Sequence, residues 1–422
     1  MHARLVALGG RGLRVRRLGG DRAGEIRLTR FLRNEAVTPE AMVVEAARRT
    51  GARCGGRHVL AIQDTTVVRS AGGGGLYLHP VLAVDADDGT ILGLTHASFL
   101  QRDEGKAADR RQKPVKDKES QRWLDGAVQS AAVCREAAKL THIADREADI
   151  FALFARCPHG TALLVRAAHD RALEDGGRLF AHLDALPVSG HAELDLPARP
   201  GRKARTAALA ARFMRASIAR PHNGRVEDLP RSLTLTLVDI REATARAGEA
   251  PVHWRLITTE TVTTAADAFA IAELYRRRWC IEQLFRTLKT KGFDIEGALI
   301  EDQAPLCRLV MATLVAAVTI QQLVHARDGD QGPAPLRPLT DAFEPEDQPL
   351  LEAFCAKLEG NTQRQKNPHP KASLAYAAWV CARLGGWTGY YGKPGPMVML
   401  EGWLYFHAAK HGAALTNPKP FV

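Results

Sequence analysis

The stretch ELYRRRWCIEQLFRTLKTKG, from Glu273 to Gly292, sets the carboxylate of Glu282 among six Arg or Lys residues. On a helix turning about 100° per residue, Tyr275, Arg278, Glu282 and Lys289 share one narrow stripe. Leu274, Ile281, Leu284, Phe285 and Leu288 form the adjoining apolar face. That face would bury the helix and leave the stripe at the edge of a cleft. A phenol, a guanidinium and an ammonium around one acid suit phosphate contacts beside a metal ligand. The same residues also fit a solvated face on which Glu282 pairs with Arg286 at i, i+4.

Two further acids stand where chemistry gathers. Asp64 closes the apolar run HVLAIQD, and Asp145 closes LTHIAD. Loops at strand ends open the crevice in which ligand groups collect. Two aspartates meeting there repel unless a cation lies between them, and magnesium suits a few carboxylates with water and phosphate around it. A third carboxylate would allow two ions to clamp the attacking and leaving oxygens of a phosphodiester. Plainer roles stay open for each aspartate: Asp145 as the N-cap of the next helix, Asp64 as a turn acid.

The elements that must position these groups alternate. Thr38, Pro39 and Glu40 mark a helix start within a helical stretch from Arg27 to about Thr50. Strands are predicted at His58 to Thr66, Leu76 to Val84 and Thr90 to Phe99. The last two are joined across DADDG, read as a hairpin turn because a calcium loop would need an acid where His96 falls. Residues 101–118 read as a charged loop, followed by a helix through KESQRWLDGAVQSAAVCREAAK. The strand LTHIA, a helix DREADIFALFARC and the strand TALLVRAA come next. From about residue 183 to 262, short alternating segments separated by Pro, Gly and basic clusters indicate a β-rich insertion. GPAPLRPLTDAFEPEDQP reads as a linker or surface segment, and the chain is helical again from about Leu350.

Composition narrows the class. The 422 residues carry 58 Lys and Arg against 47 Asp and Glu, a formal charge of +11, which favours a polyanionic partner. The 7 cysteines are scattered with no CxxC pair, as expected in a reducing compartment. The apolar run from Leu309 to Val324, interrupted by Gln321 and Gln322, is too short to span a bilayer and reads as a buried helix. A cytoplasmic protein without membrane contact is the expectation.

The spacing Y-x2-R-x3-E-x6-K of Tyr275, Arg278, Glu282 and Lys289 resembles the signature of the IS-four family of bacterial transposases. AIQDTT, KESQRWL, ADREADI, LLVRA with Arg166, and HWRLITTE with Trp254 are similar to that family in wording and order, as are ASLAYAAWVCARLGG and EGW. The likeness runs from about Gly24 to the C-terminus.

The resemblance implies an α/β protein: an RNase H-like mixed sheet with flanking helices, interrupted by the β-rich insertion, plus helical N- and C-terminal regions. It implies a catalytic domain over residues 56–328 and a helical dimerisation domain over 329–422. Asp64, Asp145 and Glu282 would form a DDE triad binding two Mg²⁺ ions, for which Mn²⁺ can substitute. The implied activity is cut-and-paste transposition: nicking, hairpin formation, hairpin opening and strand transfer, all in-line phosphoryl transfers. Trp254 would stack on a base flipped from the duplex end. Tyr275, Arg278 and Lys289 would grip nearby phosphates, with Arg166 at the same end and Arg286 beside them. The implied partners are double-stranded DNA, as terminal inverted repeats and as target, and a second subunit in a homodimer.

One departure stands out. The family begins with a helical domain that reads the terminal repeat, and here residues 1–55 match only its later part. A shortened N-terminal DNA-binding region is the expectation. Two competing readings follow: a truncated, non-transposing relic that binds DNA or dimerises and inhibits intact copies, and a different metal nuclease on the same fold.

Overall fold

The computed structural model describes residues 13–69, 75–100, 120–198, 203–221, 229–244, 248–329, 336–390 and 392–416. The expected charged loop at 101–118 lies outside them. In chain order, helices α1 (Val15–Gly19), α2 (Arg22–Arg33) and α3 (Pro39–Cys54) precede strands β1 (His58–Gln63), β2 (Thr66–Arg69), β3 (Gly75–Asp85) and β4 (Ile91–Leu100). Next come α4 (Gln121–Val133), β5 (Lys139–Ala144), α5 (Phe151–Ala155), β6 (Ala162–Arg166) and α6 (Leu179–Ala185). Strands β7 (Gly190–Leu196), β8 (Arg205–Ala219), β9 (Ser232–Glu242) and β10 (His253–Thr258) follow. The remaining helices are α7 (Ala265–Arg276), α8 (Trp279–Leu288), α9 (Gln303–Ala326), α10 (Gln348–Leu358), α11 (Leu374–Leu384) and α12 (Pro396–Thr416).

The chain divides into two compact units, each assembled from separate stretches. Gly56–Asp64 and Arg102–Trp279 form one of them. Its strands run in the order β1-β5-β6-β10-β9-β8-β7. β1, β5 and β6 are parallel, and the rest antiparallel. Parallel neighbours need crossovers, and α4 and α5 supply them. The region expected as a β-rich insertion does supply β7 to β10, but these prolong the sheet through the β6–β10 pairing. One core joins both parts: Trp123, Phe151 and Phe154 pack with Leu163 and Val165, and also with Ile218, Leu237 and Ile257. On α7, Thr264 accepts from the backbone N–H of Asp267, whose side chain answers the cap, a reciprocal box that sets the helix start.

The other unit comprises Met1–Gly55, Thr65–Gln101 and Cys280–Val422. Here β2, β3 and β4 form an antiparallel meander. β2 was not expected from the sequence. The β3–β4 turn is the expected hairpin: Gly89 donates to the Asp85 carbonyl with φ 76°, in the left-handed region open to glycine. α3 starts where expected, with the Thr38 hydroxyl accepting from the Ala41 N–H.

Buried α9 is the axis of this unit. At 24 residues it is longer than its apolar run and long enough to cross a membrane, which corrects the expectation of a segment too short to do so. Most of it is buried within the fold, with 78% of its most apolar window covered, the mark of a core helix. The polar residues that interrupt it are all satisfied. Arg308 donates to the carbonyls of Leu32 and Val37, Gln321 to Thr287, and Gln322 to Ile91 and Leu92.

Two expectations need correction. The helix read through DREADIF breaks into a single turn at Arg146–Ala148 and then α5, because Asp149 turns its carboxylate to another segment. The stretch from Glu273 to Gly292 is two helices, not one: Arg277 and Arg278 form a tight turn in which the Arg278 N–H donates to the Tyr275 carbonyl. The described part of the segment read as a linker or surface segment, residues 336–349, is a surface stretch tied into the fold, since Asp341 is almost fully enclosed and pairs with both Arg53 and Arg337.

Candidate active site

The parallel register places the two aspartates. His58 pairs with Lys139 and Ile62 with Ile143. Carrying the same register two residues onward sets Asp64 opposite Asp145, each just past the carboxyl end of its strand. Successive strand residues alternate faces, so an in-register pair presents both carboxylates to the same side. Asp145 does cap the turn after it, its Oδ1 accepting from the Glu147 N–H at 2.9 Å. The plainer reading of that residue is thus part of its role. Its other oxygen has no hydrogen-bond partner among the described residues.

Asp64, with 17% of its side chain exposed, receives the Arg278 Nη1 at 2.8 Å on Oδ2. Tyr275 is buried, with the guanidinium of Arg278 over its ring at 6.0 Å from the centroid and Arg166 close enough to act on its phenol electrostatically. Burial raises the Tyr275 pKa, as does nearby Asp145, while the two arginines oppose the shift. Burial lowers the Arg166 pKa, and Arg146 and Arg278 push it down further. Arg166 ends β6 and donates to the His253 carbonyl at 3.0 Å. Trp254 stands on half-buried β10, two residues from Leu256, which pairs with Arg166. One unit thus brings Asp64, Asp145, Arg166, Tyr275 and Arg278 to the ends of β1, β5 and β6.

Glu282, Arg286 and Lys289 belong to the other unit. Glu282 is half-buried on α8, and Arg286 is exposed there. The Lys289 ammonium donates to the Thr66 hydroxyl at 2.7 Å. Its pKa is lowered by burial and by Arg69, against the pull of Glu296. Arg276 is a bystander, paired with Glu273 on its own helix.

Several groups escaped the sequence reading. Thr65 hydrogen-bonds the buried His79 at 2.9 Å, so consecutive residues after β1 are each held by a different side chain. Asp149, in the same DREAD run as Asp145, is buried. It accepts from the N–H groups of Ala168 and His169 and pairs with Arg171. A carboxylate four residues after Asp145 was the available signal, but nothing local distinguishes a ligand from a brace.

Paired carboxylates at neighbouring strand ends are hard oxygen donors of the kind a divalent cation takes. Within the described residues, no group of three or more His, Cys, Asp or Glu side chains is clustered to hold a metal ion. The donor pair fits a metal by chemistry and register. Such a pair beside guanidiniums, on a mixed α/β scaffold, is compatible with chemistry on phosphate esters. Residues 78–317, more than half of the chain, match the family model of the transposase DDE domain, and the chain belongs to that family. It is accordingly a transposase acting on DNA, in a family that uses divalent metals, and its mixed α/β architecture is consistent with an RNase H-like transposase domain. The matched span includes Asp145, Arg166, Trp254, Tyr275 and Glu282 and begins after Asp64.

Proposed function

We propose that the chain is a cut-and-paste transposase of the IS-four family, similar to the Tn-five transposase, with Asp64, Asp145 and Glu282 as its catalytic carboxylates. The observation that carries this reading is the register that sets Asp64 opposite Asp145. These three residues would hold Mg²⁺, and bound metal would activate a nucleophilic oxygen and stabilise the leaving one. The side chains do the rest. Arg278 balances Asp64 and, with Tyr275 and Arg166, presents donors to a strand phosphate. Lys289, held by Thr66, and exposed Arg286 would add further cations for DNA phosphates. Trp254 offers a half-exposed ring on which a flipped base would stack, an interaction worth roughly 1–3 kcal/mol. The C-terminal helices would supply the contact between two subunits at paired element ends.

The test incubates purified protein with Mg²⁺ and end-labelled DNA carrying the inverted repeats that flank the gene. Nicks followed by hairpins are expected, abolished by Asp64→Asn, Asp145→Asn or Glu282→Gln with DNA binding retained. Binding without any nick would sink the enzymatic reading. Nicking that survives Asp145→Asn would sink the site assignment.

A further inference from the structure

A cavity of about 470 Å³ opens at the end of β6, within the unit that carries Asp64 and Asp145. Arg146, Arg166, Arg255, His253 and Phe180 line it, with the backbone of Ala167 and Ala168. Its charges do not cancel. Arg255 is held by both oxygens of Asp184 and by Asp239, and His253 also lies on Asp239. Asp149 is spent on Arg171. Neither Arg146 nor Arg166 pairs with a carboxylate among the described residues. Arg166 is half-buried, and its guanidinium donates to a neutral oxygen, the His253 carbonyl. A guanidinium withdrawn from water without a counter-charge is unfavourable, and an anion would return what burial takes.

The backbone narrows the mode of recognition. The N–H groups of Ala168 and His169 are committed to Asp149, and that of Ala167 to the Arg255 carbonyl. Of the lining arginines, Arg146 and Arg166 are those without a carboxylate partner among the described residues, so their side chains are the cationic donors open to a ligand. Alternation along β10 turns His253 and Arg255 to the face opposite Trp254. The cavity is therefore a different position from the ring proposed to take a flipped base.

We propose that Arg146 and Arg166 clamp one phosphodiester of a bound DNA strand in this cavity, with Phe180 as the apolar wall against its sugar. This rests on the transposase reading and extends it to Arg146, a residue outside the Tyr275–Lys289 signature. The cation–π contact of Arg255 over Phe180, at 4.4 Å, keeps that wall upright. The phosphate could belong to a duplex or to a displaced single strand, so both are used as probes.

The experiment measures binding of a fluorescent duplex and a single-stranded oligonucleotide to the full chain across a salt series. Arg146→Gln is compared with wild type and with Arg135→Gln, an exposed arginine of the same unit paired to Glu136. Loss of one phosphate contact should lower the slope of log affinity against log salt by about 0.9 on duplex, or about 0.7 if the contact is to a single strand. Arg135→Gln should leave both slopes unchanged. Because Arg146 is exposed, its thermal unfolding should match wild type. An unchanged slope in Arg146→Gln, or an equal drop in Arg135→Gln, would overturn the clamp while wild-type binding and nicking leave the transposase reading intact. A wild-type protein that binds neither probe would overturn both.

Discussion

Asp149→Ala tests whether the brace behind the β6 end is as strong as its geometry implies. The carboxylate accepts from Ala168 N–H at 2.7 Å, His169 N–H at 2.9 Å and the Arg171 guanidinium at 2.5 and 3.1 Å. Removing it strands a guanidinium of which only 9% of the side chain is exposed, and it frees two backbone donors. Breaking a buried pair by deleting one partner costs roughly 3–5 kcal/mol, and each stranded donor adds about 1–3 kcal/mol unless water reaches it. A loss of about 4 kcal/mol is a large share of the roughly 5–15 kcal/mol that holds a domain together. Urea unfolding should show it, and native-state hydrogen exchange should lose protection at the Ala168 and His169 amides first. Asp149→Leu with Arg171→Met should recover much of the loss, because no charge is then left buried. A single substitution costing under about 1 kcal/mol would refute the brace, as would a double variant whose loss is the sum of the singles.

Buried His142 has no partner for either ring nitrogen among the described residues, and burial lowers its pKa from 6.5 to about 4. The unfolded chain therefore binds the proton first, so stability is intact above 6.5 and falls by roughly 3 kcal/mol as pH drops to 4. His142→Leu should flatten that dependence in thermal melts from pH 7 to 4; an unchanged slope would refute it. A Cβ on Gly402 would lie 1.7 Å from the Cys381 carbonyl oxygen, so Gly402→Ala should force α11 and α12 apart and cost roughly 1–3 kcal/mol or more, read as a lower Tm. Wild-type Tm in that variant would refute the close approach. Asp341→Ala leaves Arg53 and Arg337 facing each other without their shared carboxylate and should cost about 3–5 kcal/mol in urea unfolding. A loss below about 1 kcal/mol would show the network to be incidental.

The parts of the fold written in local pattern were legible in the sequence. HVLAIQ and LTHIA are apolar runs of strand length that stop at a polar residue, so the strand ends and the aspartates beyond them could be found together. Thr38 and Pro39 marked a helix start by chemistry that acts within one turn. What was not legible depends on partners far along the chain. No Pro or Gly announces the turn at Arg277–Arg278, so a periodic pattern ran straight through it. Asp149 ends its turn because Ala168 and His169 need an acceptor, and Asp341 is enclosed because Arg53 reaches it from α3. The roles proposed for Trp254 and Arg166 rest on resemblance. The structure adds that Arg166 donates to the His253 carbonyl.

The in-register aspartates have a consequence for when the protein becomes dangerous. The register that, carried onward, sets Asp64 opposite Asp145 exists only after β1 finds β5, a parallel pairing between segments far apart in sequence. Closing such a contact is slow compared with forming a helix or hairpin. A slip of one residue would turn one carboxylate to the opposite face. A nascent or misregistered chain thus carries the residues of the proposed centre without possessing the centre. For a transposase acting on DNA, the proposed centre therefore comes into being only with the correct fold, and folding itself acts as a safety catch.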